Sequence, residues 1–218
     1  MRRSMALGAL AVSLILAGSG CSRSPQVTFY TLESAATLRP LSPVPAAFPA
    51  AAATPPGAAA PTPAALPAVA VGPVTLPEVV DRPQLVVRVA PNRVAILESQ
   101  RWAEPLRSEI PRVIAEDLGR LLGSGRVASY VQRSGGAADI RVVLDIERFE
   151  AVPGEGVNVE AVWSLHRGAE GVVTGRSRVR EPAAGEGYDP LVAAYGRALL
   201  SVSADLAQAI RAQGAAVR

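Results

Sequence analysis

The sequence predicts a single α/β domain in which a mixed, mostly antiparallel β-sheet packs against two main amphipathic helices. Two segments repeat apolar residues at the spacing of one helix face, and several others alternate apolar and polar residues as half-buried strands do. Residues 69–214 hold nearly all of these segments and are long enough to bury one hydrophobic core. Helices lying on a mixed sheet are the simplest architecture that buries both kinds of apolar surface.

The first strand is expected within residues 27–32 (VTFYTL), which are rich in β-branched and aromatic side chains. Residues 35–68 follow as a low-complexity segment in which 14 of the 34 residues are Ala and 9 are Pro. Proline at this density removes backbone donors and favours an extended chain. We therefore expect residues 21–34 to carry the first strand and residues 35–68 to be a disordered linker or loop, either a spacer or a tolerated insertion.

The first helix is expected at residues 104–122, after three short strands. Those strands are expected at residues 69–74, 84–89 and 93–98. The apolar stripe of the helix is formed by Ile110, Val113, Ile114, Leu118, Leu121 and Leu122. Pro111 would kink a helix that begins at Glu104, so the alternative is a start near Ser108, which would cap the helix.

Three longer strands and a second helix complete the predicted domain. The strands are expected at residues 139–149, 157–166 and 172–180, joined as hairpins by glycine-containing turns. The helix is expected at residues 188–212. Its apolar stripe consists of Leu191, Val192, Tyr195, Leu199, Val202, Leu206 and Ile210.

The N-terminus has the layout of a secretory signal that ends at a cysteine. Two arginines precede an apolar run at residues 5–17, and small residues lead to Cys21. The run is too short to span a bilayer core, and Cys21, the only cysteine, cannot form an intramolecular disulfide. We interpret residues 1–20 as a lipoprotein signal peptide and Cys21 as the acylated residue. The alternatives are an ordinary cleaved signal with a buried or free thiol, and an uncleaved anchor.

Composition argues against nucleic acid as a partner. The basic residues are all arginine, and removal of Arg2 and Arg3 with the signal would leave 20 Arg against 19 Asp and Glu. No run of like charges forms a basic patch, and aromatic residues make up only 4% of the chain.

The sequence predicts no catalytic residue, no cofactor and no metal site. His166 is the only histidine and alternates onto the outer face of its strand, where a solvated side chain is the expectation. One histidine without a spare cysteine makes a zinc site improbable, and no glycine-rich loop opens a helix as nucleotide binding would require. Asp145 and Glu147 share a strand face opposite plausible arginine partners, so a secreted hydrolase is the weakest of the functional hypotheses.

Two groups of residues are candidates for contact with a partner. Trp102, beside Arg101, either staples the start of the first helix to the core or lies exposed in a protein contact, where Trp and Arg are enriched. Arg176, Arg178 and Arg180 share one face of the last strand. They either form a charged face that blunts an exposed strand or contact anionic lipid or an acidic partner.

Several short motifs give the chain a resemblance to a known family. They are residues 29–32 (FYTL), 71–78 (VGPVTLPE), 81–86 (DRPQLV), 92–93 (NR), 101–106 (RWAEPL), 138–142 (ADIRV) and 163–165 (WSL). Together they resemble the paraquat-inducible protein C (YmbA-type) lipoproteins, which are auxiliary lipoproteins of ABC-type transport systems. The resemblance covers nearly the whole chain after the signal, apart from the low-complexity segment.

The resemblance implies a function for residues 69–214. It implies a non-enzymatic lipoprotein on the periplasmic face of the outer membrane, working with MCE-domain proteins and an ABC transporter in moving lipids or other hydrophobic molecules between two membranes. It also implies ring-like self-assembly. An envelope assembly or scaffold lipoprotein without a transport role is the alternative.

The length of the lipid tether depends on the first strand. If residues 27–32 join the main sheet, only residues 22–26 separate Cys21 from the fold; if they do not, residues 22–68 form the tether. The resemblance favours the short tether.

Overall fold

The structure is a computed structural model that describes residues 26–35, 67–130, 138–168 and 171–216. Two α-helices and eight β-strands form within these ranges. The strands are β1 (Thr28–Tyr30), β2 (Val69–Thr75), β3 (Gln84–Ala90), β4 (Arg93–Trp102), β5 (Val127–Ser129), β6 (Ile140–Val152), β7 (Gly156–His166) and β8 (Val172–Pro182). The helices are α1 (Leu106–Leu122) and α2 (Asp189–Ala216). Cys21, residues 1–20, which are predicted to be a signal peptide, and most of the low-complexity segment lie outside the described residues.

All eight strands belong to one mixed sheet, which confirms the predicted fold class. Long antiparallel ladders join β6 to β7, β7 to β8 and β3 to β4. Shorter parallel pairings join β1 to β4, β2 to both β5 and β6, and β3 to β6. β1 and β8 therefore lie at opposite ends of the path β1-β4-β3-β6-β7-β8.

The helices cover one face of the sheet because alternate strand residues on that face are apolar. The predicted inward residues of β6 and β7 are all buried: Ile140, Val142, Leu144, Ile146, Val157, Val159, Ala161, Trp163 and Leu165. α1 packs on β2 and β5, α2 packs on β7 and β8, and the helices also contact each other. Phe149 of β6 stacks on Tyr195 of α2, with ring centroids 3.9 Å apart and an interplanar angle of 6°.

Some boundaries differ from the sequence predictions. α1 begins at Leu106 after Pro105, whose backbone angles are non-helical and whose carbonyl accepts from the amides of Ser108 and Glu109. Ser108 is thus inside the helix, and its predicted role as N-cap is wrong. β4 continues past a bulge between Leu97 and Arg101 to Trp102, where its last three residues pair with β1. β5 was not predicted.

Candidate functional site

The structure places β1, the first described strand, at the edge of the sheet beside β4. Phe29 pairs in register with Arg101 of β4, and the amide of Ala103 donates to the carbonyl of Tyr30 at 2.8 Å. The Tyr30 hydroxyl donates to Oε1 of Gln100, also at 2.8 Å. β1 is therefore held by main-chain and side-chain bonds, and residues 22–27 separate it from the cysteine.

Residues 31–35, named here the N-terminal segment, continue from β1 into the space beside α1. Leu32 is fully buried in the core, and its amide donates to both carboxylate oxygens of Glu109 at 3.3 Å. The Leu32 carbonyl accepts a 2.7 Å bond from Nη2 of Arg112. One turn of α1 therefore satisfies both main-chain groups of Leu32.

The next turns of α1 hold Ser34 in the same way. The buried Ser34 hydroxyl donates to Oδ1 of Asp117 at 2.5 Å and accepts from Nη1 of Arg120 at 2.7 Å. Glu109 and Arg112 are three residues apart, as are Asp117 and Arg120, and all four contact Leu32 or Ser34, so they lie on the side of α1 that faces the N-terminal segment. Sequence analysis missed these four residues; the available signal was a second, charged stripe beside the apolar stripe of α1.

α2 closes the other side of the N-terminal segment. A Cβ atom added at Gly196 would lie 2.6 Å from the carbonyl oxygen of Glu33, closer than atoms can approach. Gly196 therefore allows the backbone of the segment to touch the second helix. Together the two helices form a clamp around residues 31–35.

The clamp buries two carboxyl groups, and burial changes how they bind protons. Desolvation raises the pKa of Glu109 to about 7, against the lowering effects of the Leu32 amide and the Arg112 charge. Desolvation also raises the pKa of Asp117, although the Ser34 hydrogen bond and Arg120 oppose it. Oδ2 of Asp117 has no hydrogen-bond partner within the described part of the chain, as expected for a carboxyl group that is costly to ionise.

Trp102 lies in the core rather than on the surface. Its side chain is 5% exposed, and its ring meets Tyr195 edge to face with centroids 6.1 Å apart. This burial favours the interpretation that Trp102 staples the start of α1 to the core. Arg101 points outward beside it, and its Nε donates to the carbonyl of Glu98 at 3.0 Å.

The arginine ladder, consisting of Arg176, Arg178 and Arg180, lies on the uncovered face of β8. Each guanidinium has a carboxylate neighbour: Glu147 at 2.8 Å from Arg176, Glu160 at 3.5 Å from Arg178, and Glu155 at 3.0 Å from Arg180. The ladder is thus exposed but locally neutralised, as a charged face that blunts an edge strand would be.

The residues considered for hydrolytic chemistry are dispersed over the uncovered face of the sheet. Asp145 accepts a hydrogen bond from the Thr75 hydroxyl, and Glu147 is paired with Arg176. Nε2 of His166 lies 2.9 Å from the exposed Ser164 hydroxyl. Among the described residues, no group of three or more His, Cys, Asp or Glu side chains is placed to hold a metal ion.

Within the described ranges, neither helix is long and apolar enough to cross a bilayer.

Comparison with known proteins places these features in context. A family model described as ABC-type transport auxiliary lipoprotein component matches residues 49–207. No curated protein sequence matches the chain.

Two solved structures share the fold at low sequence identity. One is the crystal structure of an uncharacterized protein, with a TM-score of 0.59 and 19% identity, covering 68% of this chain and 94% of the other. The second is a Xanthomonas campestris protein of the DUF330 family, with a TM-score of 0.51 and 19% identity, covering 67% and 86% of the two chains. At this identity the likeness concerns the fold alone.

Proposed function

Because the chain belongs to the family of ABC-type transport auxiliary lipoprotein components, we propose that it is a non-enzymatic lipoprotein of the outer membrane. In this proposal it serves an intermembrane lipid transport system. Cys21 carries the acyl chains, and the domain faces the periplasm. There it docks the end of a conduit built by MCE-domain proteins and supplied by an ABC transporter. The observation that carries the proposal is the family match, which spans most of the domain.

The fold supports an anchoring and docking role. The N-terminal segment is clamped between both helices, so force on the lipid anchor is transmitted to the core rather than to a loose tail. No described cluster combines an activated nucleophile, a base and its orienting group, as acyl transfer would require. We therefore propose that the protein acts by binding partners and does not catalyse a reaction.

Co-purification tests the docking proposal. The full-length lipoprotein is extracted from membranes with mild detergent, and the MCE-domain protein encoded beside it is expected to elute with it. Absence of that protein from the eluate, under conditions that preserve the lipoprotein fold, would overturn the transport role. Retention of other envelope proteins in its place would favour the scaffold alternative.

The anchor is tested by Cys21→Ser. The variant is expected to leave the membrane fraction for the soluble periplasm, since a multiply acylated cysteine holds a protein firmly and a serine carries no such lipid. Ser22→Ala is the matched control, because it alters the neighbouring residue and keeps the cysteine. A Cys21→Ser protein that still floats with membranes contradicts the assignment.

The arginine ladder and Arg101 are the proposed contact residues. Carboxylates on an acidic partner surface would pair with the ladder arginines in place of the glutamates that now neighbour them. Replacing all three ladder arginines with alanine should therefore reduce the amount of partner that co-purifies. The matched control replaces Arg107 with alanine, because this arginine is also exposed and paired with a carboxylate but lies on α1. Equal recovery of the partner with both variants would remove the ladder from the proposal.

A further inference from the structure

Four exposed apolar side chains lie in or next to β1 and on the neighbouring strand β4. They are Phe29 (63% exposed), Val27 (45%), Ile96 (41%) and Val94 (38%), named here the β1 corner. Val27 and Phe29 flank Thr28, so they project to the same side of the chain, and Val94 and Ile96 share a face of β4 in the same way. Val27 and Ile96 line one open groove of about 340 Å³.

The distance from Cys21 to the β1 corner is limited by the chain. Five residues (22–26) lie between Cys21 and Val27, so the chain takes six steps of at most about 3.6 Å each, which gives roughly 20 Å. β1 is fixed in the sheet by its pairing with β4. The short reach of the chain therefore also limits the distance between Cys21 and the folded domain. β8 lies five strand spacings away, or about 24 Å along the sheet.

We propose that the β1 corner rests on the phospholipid surface of the membrane that holds the acyl chains of Cys21. Phe29 and Ile96 enter the boundary between headgroups and acyl chains. The inference rests on the proposed lipidation of Cys21, because the short tether is what brings this corner to the bilayer.

The chemistry of the corner fits a lipid surface. Arg101, the register partner of Phe29, is paired with Glu98 at 3.5 Å, so the rim carries little net charge and the contact is apolar rather than directed at one anionic headgroup. The contact can be weak, because the acyl anchor already holds the corner at high local concentration near the lipid. β1 has only three paired residues, so its free edge offers little for a strand of a second copy.

The test uses the full-length lipidated protein. Acylation consumes the thiol of Cys21, the only cysteine, so a cysteine introduced by Phe29→Cys or Ile96→Cys is the single free thiol and can carry an environment-sensitive fluorophore. Val172→Cys is the matched control, since Val172 is also apolar and 55% exposed but lies on β8. The labelled proteins are reconstituted in phosphatidylethanolamine–phosphatidylglycerol vesicles that contain a lipid with a quencher near the headgroup.

We expect blue-shifted emission and several-fold stronger lipid quenching at positions 29 and 96 than at position 172. Equal quenching at all three positions would overturn the proposal. Labels at 29 and 96 that are shielded from both the lipid quencher and aqueous iodide would also overturn it, because a protein surface would then cover the corner. Thermal unfolding checks each fold, and Val27→Cys replaces any labelled variant that is unstable.

Flotation on a density gradient separates this inference from the proposed function. If the unlabelled lipoprotein does not float with vesicles, the anchor itself has failed and the membrane contact falls with it. If the protein floats while labels at 29 and 96 behave like the label at 172, only the β1 corner is refuted.

Discussion

The protonation of the Glu109 carboxyl group affects the stability of the folded protein. Its side chain is buried against the Leu32 amide, and its pKa of about 7 lies above the ordinary value of 4.5. Between these two values the folded protein binds more protons than the unfolded chain. The contribution of Glu109 is therefore complete below about pH 4.5 and is lost as pH rises through about 7.

Glu109→Gln should remove this loss. The amide oxygen of glutamine can still accept from Leu32, but the side chain does not ionise. As the pH is raised from 5 to 8, the free energy of unfolding of the variant should rise relative to that of wild type by on the order of 1–3 kcal/mol. Urea unfolding at both pH values measures the difference.

The control for this comparison is Glu98→Gln, which alters an exposed glutamate on β4. It makes the same chemical change at a carboxyl group that is not buried, so it measures what the Glu-to-Gln substitution does without burial. Asp117 also has a raised pKa and is present in both proteins, so some pH dependence persists in Glu109→Gln. A difference that shrinks toward pH 8 would contradict the role assigned to Glu109.

Trp102→Ala tests whether the indole packs the core. Removing a buried tryptophan side chain typically costs about 3–5 kcal/mol, and Trp102→Phe should lose much less because a ring still meets Tyr195. Urea unfolding of the two variants gives the comparison. An alanine variant of unchanged stability that fails to retain a partner would instead assign Trp102 to a protein contact.

At the scale of elements, the contact between α2 and the N-terminal segment predicts an unusual sign for a glycine substitution. Glycine to alanine inside a helix normally stabilises a protein by about 0.5–1 kcal/mol. Gly196→Ala should instead destabilise it, because the new Cβ would lie 2.6 Å from the Glu33 carbonyl oxygen. Thermal unfolding gives the sign, and faster hydrogen exchange at the Leu32 amide would locate the damage.

Gly119→Ala is the matched control in α1. The nearest atom to its added Cβ is the Ser124 carbonyl oxygen at 3.3 Å, a milder contact that a small shift relieves. Its effect on stability should therefore be smaller than that of Gly196→Ala. A Gly196→Ala protein more stable than wild type would show that the segment does not lie against α2.

How much of each element could be predicted depended on its length and on what covers it. β6 and β7 run for 13 and 11 residues, so their alternation was clear, whereas the three residues of β5 are too few to show a period. The charged stripe of α1 looked like a solvated face. The stripe is buried because the N-terminal segment packs on it. Leu32 and Glu109 are 77 residues apart in sequence, so no local sequence pattern indicates their contact.

At the scale of the whole molecule, the low-complexity segment lies after β1 and so does not separate Cys21 from the fold. Removing residues 43–58 would delete about half of the 31 residues between Ala35 and Pro67. Loop-closure entropy predicts that halving the length of such a connection raises the free energy of unfolding by only about 0.6 kcal/mol. Urea unfolding measures this, and membrane flotation should be unchanged.

Recovery of the proposed MCE partner is the second readout of that deletion. We expect it to be retained, as for a tolerated insertion, because the domain keeps its distance from the membrane. Loss of the partner without loss of stability would identify the segment as a required spacer.

The clamp around residues 31–35 also limits how early the domain can fold during synthesis. The N-terminal segment, which follows β1, contacts Glu109 of α1 and Gly196 of α2, and Gly196 lies 163 positions beyond Glu33. Such distant contacts raise the contact order and slow folding. Here the core cannot be completed until α2, the last element of the chain, has been synthesised. A nascent chain that folds late stays unfolded for longer, which suits passage through a secretion channel before the proposed attachment of lipid at Cys21.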